Sequence, residues 1–174
     1  MTETLTDAAP RHLRLRPPQH LVSPRAIWYW TARALGGWLI VLAVQTFYLI
    51  LASDDGLTSW HVAVLVATAV VAAAHLVVMP RWRFRVHRWE ATPHAVYTQA
   101  GWFSQQRRIA PISRIQTVDT ERGPIEQVFG LSNVTVTTAS AAGPLKIHGL
   151  DRDDAQRLVD DLSIAIETTR GDAT

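Results

Sequence analysis

Two long apolar runs, Ala34–Ala52 and Trp60–Met79, dominate the pattern along the chain, and one short polar loop separates them. The first run is uncharged, with Gln45 and Thr46 as its polar members; the second is uncharged, with His61, Thr68 and His75. Each matches the ~20 residues that a helix needs to cross ~30 Å of hydrocarbon. The loop Ser53–Ser59 is too short to separate them, so two antiparallel helices are expected, spanning about 34–52 and 60–79. Counted from the turn, Gln45 and Thr68 lie at similar depth and are expected to face each other across the hairpin. Two readings stand for this pair: a polar site inside the membrane, or an interhelical bond supporting packing through Gly36, Gly37, Ala63 and Ala67. Packing is the simpler, because no ionised carboxylate accompanies Gln45, Thr68 and His75, and a transport or channel subunit ranks last.

After Pro80 the period shortens. Arg81, Arg83 and Arg85 alternate with Trp82, Phe84 and Val86, the spacing of a strand with basic and apolar faces. Further strands are expected at Ala95–Gln99, at Trp102–Ile109 after a turn at Gly101, at Ile115–Glu121, at Val134–Thr138 and at Leu145–His148. Gly123–Gly130 is punctuated at both ends and reads as a structural corner with Ile125, Val128 and Phe129 turned inward. A helix follows, with Asp151 as N-cap, Asp153 and Asp154 in its first turn, and a buried stripe of Ala155, Leu158, Val159, Leu162 and Ile166. The pattern as a whole is a membrane helical hairpin followed by an α+β domain, an antiparallel sandwich or small barrel capped by a C-terminal helix.

The flanks refine this division. Residues 1–24 hold Pro10, Pro17, Pro18 and Pro24, show no helical period and read as a flexible tail, basic between Arg11 and Arg16. Arg25–Arg33 brackets Trp28, Tyr29 and Trp30 with arginines, the composition of an interfacial lead-in. Residues 25–79 thus form the membrane unit, 80–168 a cytoplasmic domain, and 169–174 a frayed end.

Charge sets the orientation. Of 17 Lys/Arg and 15 Asp/Glu, only Asp54 and Asp55 fall within 34–79, and both are in the loop. Arg25 and Arg33 precede the first span, while Arg81, Arg83, Arg85 and Arg88 follow the second. Basic flanks stay cytoplasmic, so both termini are expected inside and the acidic loop outside, in a multi-pass membrane protein. A net charge of +2 gives no reason to expect nucleic acid as a partner.

Three segments in order, Arg107–Asp119, Gly123–Leu131 and Ile147–Leu158, resemble the bacterial pleckstrin-homology domain family of membrane proteins, type 2 subfamily. The positions that carry the resemblance are Pro111, Arg114, Ile115, Gly123, Pro124, Phe129, Gly130, Leu131, Gly149 and Leu150. It covers residues 80–165 and implies two packed antiparallel sheets capped by the last helix. It also implies action beside a longer membrane protein carrying several such domains, or self-association, and it supplies neither a reaction nor a catalytic residue.

Lipid recognition is the rival expectation. The turn around Glu90–His94, where eukaryotic lipid-binding members concentrate Lys/Arg, holds an acid, a proline and a histidine. The juxtamembrane Arg81, Arg83, Arg85 and Arg88 remain candidates for anionic headgroups, at ~1 kcal/mol each. Topology retention is the plainer explanation of those four, and solvated strand positions the plainer one for Arg107, Arg108 and Arg114. The seven histidines form no metal-ligand motif, there is no cysteine, and nucleophile-elbow and phosphate-loop patterns are lacking. No cofactor, metal or small-molecule substrate is expected, and the chain reads as an interaction module.

Overall fold

The structure is a computed structural model that describes residues 18–51, 59–101 and 104–171. The acidic loop with Asp54 and Asp55, the basic stretch Arg11–Arg16, Trp102 and Phe103, and residues 172–174 lie outside the described residues.

Two helices, α1 (Arg25–Leu51) and α2 (Ser59–Val86), pack against each other as an apolar hairpin, and both are long and apolar enough to cross a membrane. Their lipid-span side chains are mostly exposed, as expected where hydrocarbon is the solvent. The small residues expected at the crossing do not make it: Gly36, Gly37, Ala63 and Ala67 are exposed, whereas Ala72 of α2 is buried.

Two antiparallel sheets follow. One has the order β1 (His20–Leu21), β2 (Arg88–Ala91), β3 (Ala95–Ala100), β4 (Gln106–Pro111); the other runs β5 (Ile115–Glu121), β6 (Leu131–Thr138), β7 (Leu145–Asp151). A 3-10 turn at Ile112–Arg114 joins them, a five-residue helix α3 (Pro124–Val128) bridges β5 to β6, and α4 (Arg152–Gly171) closes the sandwich. Val96, Ala110, Ile112, Ile115, Val134, Val136, Leu145, Ile147 and Leu150 meet the α4 stripe of Ala155, Leu158 and Leu162 in one core, with Val159 and Ile166 at its margin. This is the pleckstrin-homology-like sandwich with its capping helix, behind a membrane hairpin.

Several expectations are corrected. The segment Arg81–Val86 is helical, because α2 runs straight through Pro80. A proline removes one hydrogen bond from a helix already nucleated over five turns, and six alternating residues cannot outweigh the packing that holds the continuation. That packing comes from Phe84, which joins the cluster around Trp30, and from Arg83, whose guanidinium lies 4.6 Å from the Trp30 ring centroid. The strand begins only at Arg88.

The tail is ordered at its end: β1 pairs with β2, and Val22 and Ser23 are buried. Tyr29 and Trp30 are not interfacial anchors but core residues, whereas Trp28 is exposed. At the corner, α3 turns Ile125 and Val128 outward, Val128 being 82% exposed, and only Phe129 packs inward. Its inner side carries Glu126 because what it meets is a tyrosine hydroxyl. Asp151 ends β7 just before α4, with its carboxylate 3.1 Å from Arg25, and the helix persists through Gly171 rather than fraying from 169.

A second core ties the two halves together. Val22, Ala26, Tyr29, Trp30 and Leu131 are buried against one another, with Phe84, Trp89 and Phe129 at the rim. Gly149 is what allows this close approach. It has φ +77°, and a Cβ there would sit 3.0 Å from Ala26 Cβ. Ser23 N–H donates to its carbonyl at 2.9 Å.

Candidate functional site

The last two turns of α2, the first turns of α1, α3 and the strand pair β6–β7 line a half-open cavity of about 160 Å³. Tyr29, Trp30, Arg33, Arg83, Glu126, Asn133 and His148 line it. Arg33 and Arg83 come from the two helices just outside the uncharged runs, so both stand at the same end of the hairpin, where it meets the sandwich.

The polar network is directional. Arg33 Nη1 donates to the Tyr29 oxygen at 3.1 Å, and the Tyr29 hydroxyl donates to Glu126 Oε1 at 2.7 Å. Asn133 Nδ2 donates to the same carboxylate oxygen at 3.4 Å, while Asn133 Oδ1 accepts from Gly149 N–H at 3.0 Å. The tyrosine hydroxyl holds the Glu126 carboxyl below its ordinary pKa, against the opposing effect of burial, and Arg33 adds to the lowering. Burial lowers His148, and the charges of Arg83 and Lys146 push it further the same way, so its ring is neutral at pH 7. His87, 6% exposed behind Trp30, is lowered to about 4, mainly by burial. Its Nδ1 lies 2.7 Å from the Arg83 carbonyl, which only accepts, so Nδ1 carries the proton.

The other expected positions are distributed as follows. Gln45 Nε2 donates to Thr68 Oγ1 at 3.0 Å, bringing those two together across the hairpin. His75 accepts from Trp38 Nε1 at 3.1 Å. A cavity of about 150 Å³ beside Gln45, Tyr48, Trp60 and His61 holds two buried atoms, Gln45 Oε1 and His61 Nδ1, that lack partners among the described residues. Arg81, Arg83, Arg85 and Arg88 do not form one face. Arg81 is exposed and donates to the Val77 carbonyl, Arg85 is exposed, Arg83 turns into the junction cavity, and Arg88 sits half-buried in β2.

Of the signature positions, Ile115, Leu131 and Leu150 are buried core, and Gly130 and Gly149 have positive φ. Pro124 starts α3, Gly123 precedes it, Phe129 packs at 6.4 Å from the Tyr29 ring, and Pro111 and Arg114 are exposed around the 3-10 turn. Arg108 is no idle surface residue: Nη1 and Nη2 donate to the carbonyls of Pro144, Ala142 and Gly143, each at 2.6 Å, clamping the β6–β7 turn. Sequence reasoning gave Tyr29 and Arg33 interfacial roles and singled out none of Glu126, Asn133 and His148 for a site. Their types are unremarkable singly, and the available signal was that Tyr29, Arg33 and Glu126 each sit beside a segment already marked as special.

A membrane hairpin whose base is docked into a two-sheet, helix-capped sandwich defines a membrane-anchored pleckstrin-homology-like protein. Residues 31–165 match the family model described as bacterial PH domain, and the chain belongs to that family. The match takes in most of α1 and all of α2, so the hairpin is as much a part of the family pattern as the sandwich. The chain is also 28% identical over 156 residues to the UPF0699 transmembrane protein YdbS of Bacillus subtilis (strain 168), covering 89% of this chain and 97% of that relative. No solved structure matches.

Proposed function

We propose that this membrane protein is a non-catalytic adaptor of the bacterial inner membrane, with both termini cytoplasmic. Its pleckstrin-homology-like domain docks a second membrane protein of the same family. The observation that carries this reading is the shared core of Val22, Ala26, Tyr29, Trp30 and Leu131. A domain packed directly onto the helix bases keeps a fixed height and azimuth at the inner leaflet, as recognition of a neighbour in the plane of the membrane requires. Beside that base, α3 presents Ile125 and Val128, an apolar pair on an otherwise polar corner and a suitable anchor for a partner surface.

A photo-crosslinking amino acid at Val128 of the full-length protein in native membranes tests this. A discrete adduct with another membrane protein is expected, abolished by Ile125→Asp. Recovery of the uncrosslinked monomer alone would remove the adaptor reading, and an adduct of twice the chain mass would replace it by self-association.

A further inference from the structure

The adaptor reading leaves the junction cavity unused, and its charge arrangement is unusual. Two guanidiniums, Arg33 from α1 and Arg83 from α2, line one space with a single carboxylate, Glu126. That carboxylate is already engaged by the Tyr29 hydroxyl and the Asn133 amide, and Arg33 reaches the tyrosine oxygen rather than the carboxylate. Arg83 is half-buried, and among the described residues no carboxylate lies within ion-pair distance of it. Its contact with the Trp30 ring offsets only part of the desolvation of a guanidinium. A half-buried cation that shares a cavity with a second cation calls for an anion between them.

Depth and size narrow the choice. Arg33 directly precedes Ala34, where the uncharged run begins, and Arg83 lies four residues beyond Met79, about 6 Å along the helix. Both guanidiniums therefore stand at headgroup depth. At about 160 Å³ the cavity is larger than a single water needs and has room for a tetrahedral phosphate. Guanidinium forks match phosphate oxygens in pairs, which favours phosphate over a carboxylate or a halide.

We propose that this cavity binds one phosphate group bridged between Arg33 and Arg83, with the His148 ring and the Asn133 amide at its side. The group belongs either to an anionic phospholipid of the inner leaflet or to free phosphate. The site is independent of the adaptor reading and stands or falls without it.

Native mass spectrometry of the full-length protein in a neutral detergent tests the site, with phosphatidylglycerol, phosphatidylcholine and inorganic phosphate as probes. Wild type is expected to retain one phosphatidylglycerol and to retain phosphatidylcholine, whose phosphate is paired with its own choline, about tenfold less. Arg33→Gln and Arg83→Gln should each weaken phosphatidylglycerol retention by about tenfold or more, while Arg85→Gln, exposed and outside the cavity, should leave it unchanged. If Arg83→Gln unfolds for want of its contact with Trp30, the exposed Arg33→Gln decides. Displacement of the lipid by inorganic phosphate assigns the site to free phosphate, and persistence of the lipid assigns it to the leaflet. The proposal is overturned if wild type retains none of the probes, if the two lipids bind equally, or if folded Arg33→Gln or Arg83→Gln binds as wild type does.

Discussion

Gly149 shows how much a single position carries. Its positive φ charges any L side chain strain of about 1–2 kcal/mol, and a Cβ would press on Ala26 at 3.0 Å, adding a further ~1–3 kcal/mol of overpacking. Gly149→Ala is therefore expected to lower stability by roughly 2–5 kcal/mol, read as a fall in melting temperature in detergent. Adding Ala26→Gly should restore part of the loss, because it relieves the contact but not the backbone strain; no restoration would mean that the helix base does not press on β7. The glycine was legible in the sequence as part of a motif. Its reason was not, since the alanine it accommodates belongs to a helix that the pattern assigned to the membrane.

His87 supplies the pH dependence. Its folded pKa of about 4 lies below the ordinary 6.5, so between those values the unfolded chain takes up a proton that the folded chain refuses. Stability is full above pH 6.5 and is lost as pH falls toward 4, by on the order of 2–3 kcal/mol. The lowered Glu126 and His148 act in the same direction. Melting curves of the full-length protein from pH 7 to 4.5 should show this acid limb, and His87→Asn, which keeps a donor for the Arg83 carbonyl, should make it shallower. An unchanged limb would place the titration elsewhere.

Among the elements, the hairpin and α4 were legible because their patterns are long. Twenty uncharged residues, or a stripe repeated over four turns, leave few alternatives. The end of α2 was not, because six residues that alternate basic and apolar satisfy a strand, and the deciding contacts, Arg83 and Phe84 with Trp30, are made by a different helix. For α3 the apolar residues at 125 and 128 were assigned inward on composition, while the structure turns a carboxylate in and the valine out. Gln45 and Thr68, at similar depth by their spacing from the turn, lie at hydrogen-bonding distance. Interhelical bonds of this kind average about 0.6 kcal/mol, so Gln45→Leu with Thr68→Val should change hairpin stability by less than about 1 kcal/mol in a double-mutant cycle. A coupling well above 2 kcal/mol would argue that the pair belongs to a larger polar site with His61.

At the scale of the whole molecule, the division into a membrane unit and a separate domain at residue 80 does not describe the packing. Leu131 is fully buried only because Val22, Ala26, Tyr29 and Trp30 cover it, and β1 completes the first sheet from upstream of the hairpin. Those four side chains together contribute roughly 5 kcal/mol of burial, comparable with the ~5–15 kcal/mol that holds a small domain folded. A segment of residues 87–174 made alone should therefore lack a cooperative melt and associate through its uncovered Leu131 face. A chain in which residues 18–33 are joined by a flexible linker to 87–174 keeps both the strand and the helix base while deleting the apolar spans. It is expected to be soluble, monomeric and cooperatively folded, by calorimetry and light scattering. If the shorter segment melts as cooperatively as the longer, the helix base is a tether rather than part of the fold, and the fixed presentation on which the adaptor reading depends is lost with it.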